Sequence, residues 1–318
     1  MTHTQHTYAP AGAAEPGPEF RVTEIGGVPM SARLAEAPEP RAVVVALHGG
    51  ATDSGYFDCP GHPELSLLRT AAARGYTVLA LDRPGYGRSA PHAADIAAAE
   101  HRVDITYEAI DRILGTRPHG AGLFVWSHSA GTELGLRMAA DERGRGLLGI
   151  EVAGTGLEHF PEVQKVLDAG TGYAAPRGMR ELLWAPTDLY PSEIVGGGPI
   201  ASATPRYEAD VRLGWAAHDF RILAAQVRVP VHFTAAEYES VWRSDPESLT
   251  AIEGLFTAAP RVAVEVQPGC GHNLSIGFGA PAYHSTVLSF VESCIDMGTR
   301  AAKPEPTNDD AAPARHRR

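Results

Sequence analysis

The chain has 318 residues, 44% of them hydrophobic, which is enough for a sizeable core in one domain with a smaller unit inserted. A formal net charge of -11 argues against a nucleic-acid partner, because phosphate binding needs a concentrated basic surface; the terminal "ARHRR" reads as a solvated tail. Three cysteines, Cys59, Cys270 and Cys294, form neither a disulfide framework nor a zinc pattern. Reduced thiols in the cytoplasm are expected, with a Cys59–Cys270 bridge left open. The first twenty residues lack a basic segment followed by an apolar one, and no apolar run approaches the ~20 residues that span a bilayer. A soluble protein with no membrane partner is expected.

In chain order, residues 1–18 are rich in Ala, Pro, Gly and Thr and read as a disordered tail. Segments 19–25 and 28–36 read as a hairpin joined at Gly26-Gly27. "AVVVAL" (42–47) is a continuous apolar run, suited to a strand buried on both faces. Residues 63–75 have helical spacing and end on Gly75. Strands follow at 76–82, 122–126, 147–154, 229–235 and 261–267. Helices are expected at 104–116, 131–141 and 281–294. This alternation implies a mostly parallel sheet covered on both faces. The interval 157–221 breaks it. Sixty residues without a strand are too many for a simple loop, so a partly helical cap is expected there. It carries Phe160, Tyr173, Trp184, Tyr190, Tyr207 and Trp215. Residues 299–318 read as a second disordered tail.

"VWSHSAGTEL" (125–134) sets Ser129 where a strand gives way to a helix, with small residues two before it (Ser127) and two after it (Gly131). A nucleophilic serine on a strained strand-to-helix turn needs that spacing, because larger neighbours would collide with adjacent backbone. A helix-capping serine would share the local pattern. An acyl-transfer serine also needs a base, an orienting acid and donors for an oxyanion. "LHGG" (47–50) follows the strand at 42–47, "AEYES" (236–240) ends the strand from 229, and "GCGH" (269–272) places His272 on a glycine-flanked loop.

Taken in that order, the motifs resemble those of the α/β-hydrolase superfamily over residues 20–296. "LHGG" is similar to its oxyanion loop, "LDRPGYGRS" (81–89) to its Asp-x-x-Gly-x-Gly-x-Ser turn, "SHSAG" to its nucleophile elbow and "GCGH" to its histidine loop. The resemblance implies a mostly parallel eight-stranded α/β sheet. The core would be residues 19–156 and 222–298, with the cap at 157–221. It further implies Ser129 as nucleophile, His272 as base, and the N–H groups of Gly50 and Ala130 as the oxyanion hole. Glu239 aligns with the acid, with Glu237 as competitor; Asp82 is expected to be structural. Ser127 departs from the usual glycine, and Ala236 replaces another.

A serine at the elbow argues against the dehalogenase and epoxide-hydrolase branches. What is implied is a Ser-His-Glu hydrolase of small apolar esters, lactones or thioesters, working through an acyl-enzyme with no cofactor and no metal. Trp184, Tyr190 and Trp215 are expected to bind substrate. The composition resembles that of high-GC bacterial enzymes, many of which serve secondary metabolism. A triad-retaining lyase, cyclase or isomerase, or a non-catalytic receptor for a small molecule, stays open, because a fold does not fix a function. Oligomeric state is not legible.

Overall fold

The computed structural model describes residues 17–169 and 178–301. Its described strands are β1 (Glu19–Ile25), β2 (Val28–Ala35), β3 (Val43–Leu47), β4 (Thr77–Leu81), β5 (Leu123–His128), β6 (Gly149–Ala153), β7 (Val231–Tyr238) and β8 (Val262–Gly271). They form one sheet in the order β1-β2-β4-β3-β5-β6-β7-β8. The first two pairings, β1 with β2 and β2 with β4, are antiparallel, and the rest are parallel.

The described helices are α1 (Leu67–Ala73), α2 (Ala99–Leu114), α3 (Gly131–Ala140), α4 (Pro161–Ala169), α5 (Met179–Leu183), α6 (Tyr207–Gly214), α7 (Phe220–Ala224), α8 (Pro246–Glu253) and α9 (Ala280–Ala301). Every residue of β3 and β4 is buried. Successive side chains alternate between two cores. Val43, Val45 and Leu47 join α2, α3 and α7 on one face. Val44 and Ala46 join α1 and α9 on the other. Burying each such Val or Leu contributes about 1.5–3 kcal/mol.

Some boundaries differ from expectation for local reasons. The helix expected over 63–75 is split, because Ser66 caps α1 by accepting the Arg69 N–H and leaves only a short turn before it. Helix α2 starts five residues before its expected start, and α9 runs on to Ala301. Between β6 and β7 the chain makes a long excursion through α4, α5, α6 and α7, joined by irregular turns. Tyr173 and most of both expected tails lie outside the described residues. The three cysteines are free and buried; burial pushes the Cys59 and Cys270 thiols up to about 12. Among the described residues no helix is long and apolar enough to cross a membrane.

Beneath the sheet lies a buried polar chain. Trp126 donates to the Tyr283 hydroxyl at 3.1 Å, Tyr283 donates to Glu151 at 2.9 Å, and Glu151 meets His232 at 2.5 Å. Burial by itself depresses the His232 pKa, but the Glu151 carboxylate outweighs it and the net shift is upward. Nearby His284 has no hydrogen-bond partner on either ring nitrogen among the described residues. Burial lowers it to about 3.

A histidine held neutral in the fold stabilises above its unfolded pKa of ~6.5, and that stability is lost as pH falls, because the unfolded chain then takes up the proton. His284→Leu is therefore expected to improve stability at pH 5, relative to its effect at pH 8, by about 2 kcal/mol. Urea melts at the two pH values check this. Comparing them cancels the packing cost of the substitution, and an equal effect at both would refute it.

Candidate active site

The site gathers at the C-terminal ends of β3, β5, β6, β7 and β8. Ser129 follows β5 with φ +50, an uncommon conformation for a residue with a side chain. The turn holds because its neighbours fit. A Cβ on Gly131 would lie 2.5 Å from the His48 carbonyl oxygen, so only glycine allows α3 to start so close to β3. Ser127 is tolerated two residues before Ser129 because it faces Gly135, where an added Cβ would lie 2.7 Å from the Ser127 Cβ. Its hydroxyl donates to the Glu151 carbonyl at 2.7 Å.

His272 directly follows β8. Its Nε2 lies 3.1 Å from Ser129 Oγ, and its Nδ1 lies 3.0 and 3.1 Å from the two Glu239 oxygens. With the carboxylate on Nδ1, the network assigns the ring proton there and leaves the Nε2 lone pair facing Ser129. Glu239 also accepts the Val241 N–H at 2.9 Å. Of the two carboxylates considered from sequence, Glu239 is buried beside His272. Glu237 is exposed, and it accepts the Gly269 N–H at 2.8 Å. The difference comes from a register shift between Ala236 and Tyr238, after which Tyr238 pairs with Gly271 and the residues that follow the two strands meet.

The Gly50 and Ala130 N–H groups have no acceptor among the described residues. The peptide carbonyls behind them are occupied. The Ser129 carbonyl accepts the Thr132 hydroxyl at 2.7 Å and the Thr132 N–H at 2.9 Å. The Gly49 carbonyl accepts from Arg83 Nη2 at 2.9 Å and from His48 Nδ1 at 2.8 Å. The Arg83 N–H donates to His48 Nε2 at 3.1 Å, which places the imidazole proton on Nδ1. Burial, reinforced by the Arg83 charge, lowers the His48 pKa well below the usual range and keeps the ring neutral. Asp82 accepts the Ser54 N–H at 2.7 Å and the Ser31 hydroxyl at 2.5 Å, and so pins the loop after β3.

Ser129 and His272 lie in the wall of a cavity of about 530 Å³. That volume suits a small organic molecule. Trp184 and Trp215 also line it. Trp215 is fixed by a 2.7 Å hydrogen bond to Thr155 and by stacking on Phe220. Tyr190 departs from expectation and is not a wall residue. It packs under the histidine loop, where its hydroxyl accepts the Asn273 N–H at 3.2 Å. The sequence reading missed Trp242 and His159, stacked at 3.9 Å in the wall, and also Tyr56 and His128, stacked at 4.8 Å. Trp242 lies beyond β7, outside the aromatic-rich interval 157–221, and His128 stands just before Ser129 in the elbow, where the sequence pattern marks only the serine and its small neighbours. Burial, and then the neighbouring His272, lowers the His128 pKa well below the usual range.

This fold and site define a class, and sequence comparison agrees. The model described as "Alpha/beta hydrolase family" matches residues 44–282, and the chain belongs to that family. A stretch of 78 residues is 38% identical to "Protein ABHD14A" of Danio rerio; it spans 24% of this chain and 26% of that relative, about a quarter of its length. Among solved structures, the chain is similar to a thioesterase domain from the curacin biosynthetic pathway: TM-score 0.57, 22% identity, 86% of this chain and 100% of the other. It is also similar to a thermostable carboxyl esterase from Bacillus coagulans: TM-score 0.62, 18% identity, 88% and 99% coverage. At these identities the two structures speak for the fold alone.

Proposed function

We propose that the chain is a cytoplasmic serine hydrolase of small apolar esters, lactones or thioesters. The observation that carries this reading is the continuous hydrogen-bonded path from Glu239 through His272 to Ser129, ending in the wall of the cavity. Ser129 Oγ attacks the acyl carbon as His272 Nε2 takes its proton. Glu239 stays ionised and stabilises the imidazolium. The negative charge developing on the carbonyl oxygen is met by the Gly50 and Ala130 N–H groups, aided by the N-terminus of α3. His272 then returns the proton to the leaving alkoxide or thiolate. The acyl-enzyme is released by water, which His272 activates in the same way.

The excursion between β6 and β7 acts as a cap, and Trp184 and Trp215 grip the part of the substrate remote from the carbonyl. Contacts of that kind help to orient the reacting group. Acylation by an activated aryl ester tests the reading, with the adduct located by peptide mapping. A single adduct on Ser129 is expected. Saturable binding of small apolar ligands without acylation would favour the receptor reading instead.

For the cap, Trp184→Ala and Trp215→Ala are expected to lower kcat/KM for a bulky apolar ester roughly tenfold to a hundredfold. A short acetyl ester should be nearly spared, since it reaches only the oxyanion site. Tyr190→Ala, which undermines the histidine loop, should lower the melting temperature and slow both esters alike. An unchanged ester ratio in both tryptophan variants would make these residues cap core and not a substrate wall.

A further inference from the structure

A buried ion pair between Arg83 and Glu208 lies beside the loop that carries Gly50 and takes no part in the steps above. Arg83, only 2% exposed, forms an ion pair with Glu208, its Nη2 lying 2.6 Å from Glu208 Oε1, and Glu208 belongs to α6 of the cap. The same Nη2 donates to the Gly49 carbonyl at 2.9 Å, and Nη1 lies 3.4 Å from the Ala130 carbonyl. The Arg83 guanidinium also lies 4.7 Å from the centre of the Tyr86 ring.

The Gly49 carbonyl and the Gly50 N–H belong to one planar trans peptide and point in opposite directions. Whatever grips the carbonyl therefore aims the N–H. A peptide between two glycines has little steric resistance to turning over. If it turned, the carbonyl would replace the donor in the oxyanion hole. His48 and Thr52, at 2.8 and 3.3 Å, also donate to this carbonyl, but Arg83 supplies the charged bond. The Ala130 side of the hole is secured separately, by Thr132 on the Ser129 carbonyl.

Arg83 needs a counter-ion, because an unpaired buried guanidinium is costly. Among the described residues its ion-pair partner is Glu208. That carboxylate is brought in by the docking of cap residues 205–208 on the turn after β4. The Tyr207 hydroxyl donates to the Pro84 carbonyl at 2.5 Å, and a Cβ on Gly85 would lie 2.9 Å from the Pro205 ring. Arg83 thus spans the loop that carries the oxyanion donor and the element that covers the substrate.

We propose that Arg83 is the positioning residue of the oxyanion hole, and that through Glu208 it makes turnover depend on a seated cap. The inference rests on the hydrolase reading above. Its test uses the full chain with Arg83→Met, Glu208→Gln and the double variant Arg83→Met/Glu208→Gln. Turnover of p-nitrophenyl acetate, inhibition by an alkyl boronic acid and melting temperature are measured for each. Boronic acids form an anionic tetrahedral adduct on serine, so their affinity reports the oxyanion hole.

Arg83→Met leaves Glu208 buried without its partner and should melt early. The double variant removes both charges and should recover the melting temperature. Both are expected to lose about 100-fold in kcat, with KM within about threefold and boronate affinity weakened in proportion to kcat. Glu208→Gln, in which Arg83 remains without its counter-ion, should lose about tenfold in kcat, a smaller effect than loss of the guanidinium.

A double variant that regains kcat along with stability would overturn the positioning role. So would a loss of kcat with boronate affinity unchanged. Unaltered kcat in Glu208→Gln would overturn the dependence on the cap. Absence of Ser129-dependent turnover in the unaltered chain would overturn the hydrolase reading and this inference with it, an outcome distinct from the other three.

Discussion

Exchange of Ser129 for alanine is expected to lower kcat for an aryl ester by about 10⁶, because loss of a triad nucleophile removes the acyl-enzyme route altogether. A residue of about 10³–10⁴ over the uncatalysed rate should survive, supplied by the oxyanion donors and by binding in the cavity. The fold should be indifferent to the change. Alanine removes one hydroxyl whose hydrogen-bond partner in the structure is His272 Nε2, and relief of φ +50 is not at stake because the Cβ remains. Steady-state rates, intact mass after treatment with a phosphonate, and a melting curve decide the matter. Persistent labelling of the variant would exclude Ser129 as nucleophile, and an early melt with partial activity would reduce it to a structural residue.

The second large effect concerns the two carboxylates at the end of β7, Glu237 inside the strand and Glu239 just past it. Glu239→Gln is expected to cost about 10⁴ in kcat, because an amide can favour the wrong imidazole tautomer and cannot balance the imidazolium that forms during attack. Glu237→Gln should change kcat by less than about threefold. Its partner is the Gly269 N–H, which an amide oxygen also satisfies. The pair controls for itself, since both variants replace a carboxylate by its isostere within three residues of the same strand end. Equal or reversed losses would mean that His272 is oriented by something other than Glu239.

The two carboxylates also mark where sequence reasoning ends. The alignment of "AEYE" with a family pattern favoured Glu239 and kept Glu237 open, since both follow the same apolar run. What separates them is the register shift between Ala236 and Tyr238, a property of how β7 and β8 pair. No local pattern records it.

Much was legible without the structure because its cause is local. A strand buried on both faces must be a continuous apolar run, so β3, β4 and β5 were visible as such. A serine in strained backbone needs small neighbours at fixed spacing, so the Ser129 turn could be read from five residues. The loops that carry Gly50 and His272 announced themselves by glycine.

The cavity wall was not legible in the same way. Burial makes an aromatic necessary to some apolar environment but does not say which. Trp184 and Trp215 face the cavity, whereas Tyr190, six residues after Trp184 and equally buried, packs beneath the histidine loop. Trp242 reached the wall from outside the cap interval altogether. Arg83 and Glu208 are far apart in the chain, and only the docking of α6 on the turn after β4 makes them a buried pair. Short-range spacing determined which residues can hold a strained turn, line a strand or end a helix. Contacts between distant segments, which depend on how a largely strandless excursion packs over the sheet, were decided by the tertiary structure, because periodicity encodes which face of an element is buried and not what is buried against it.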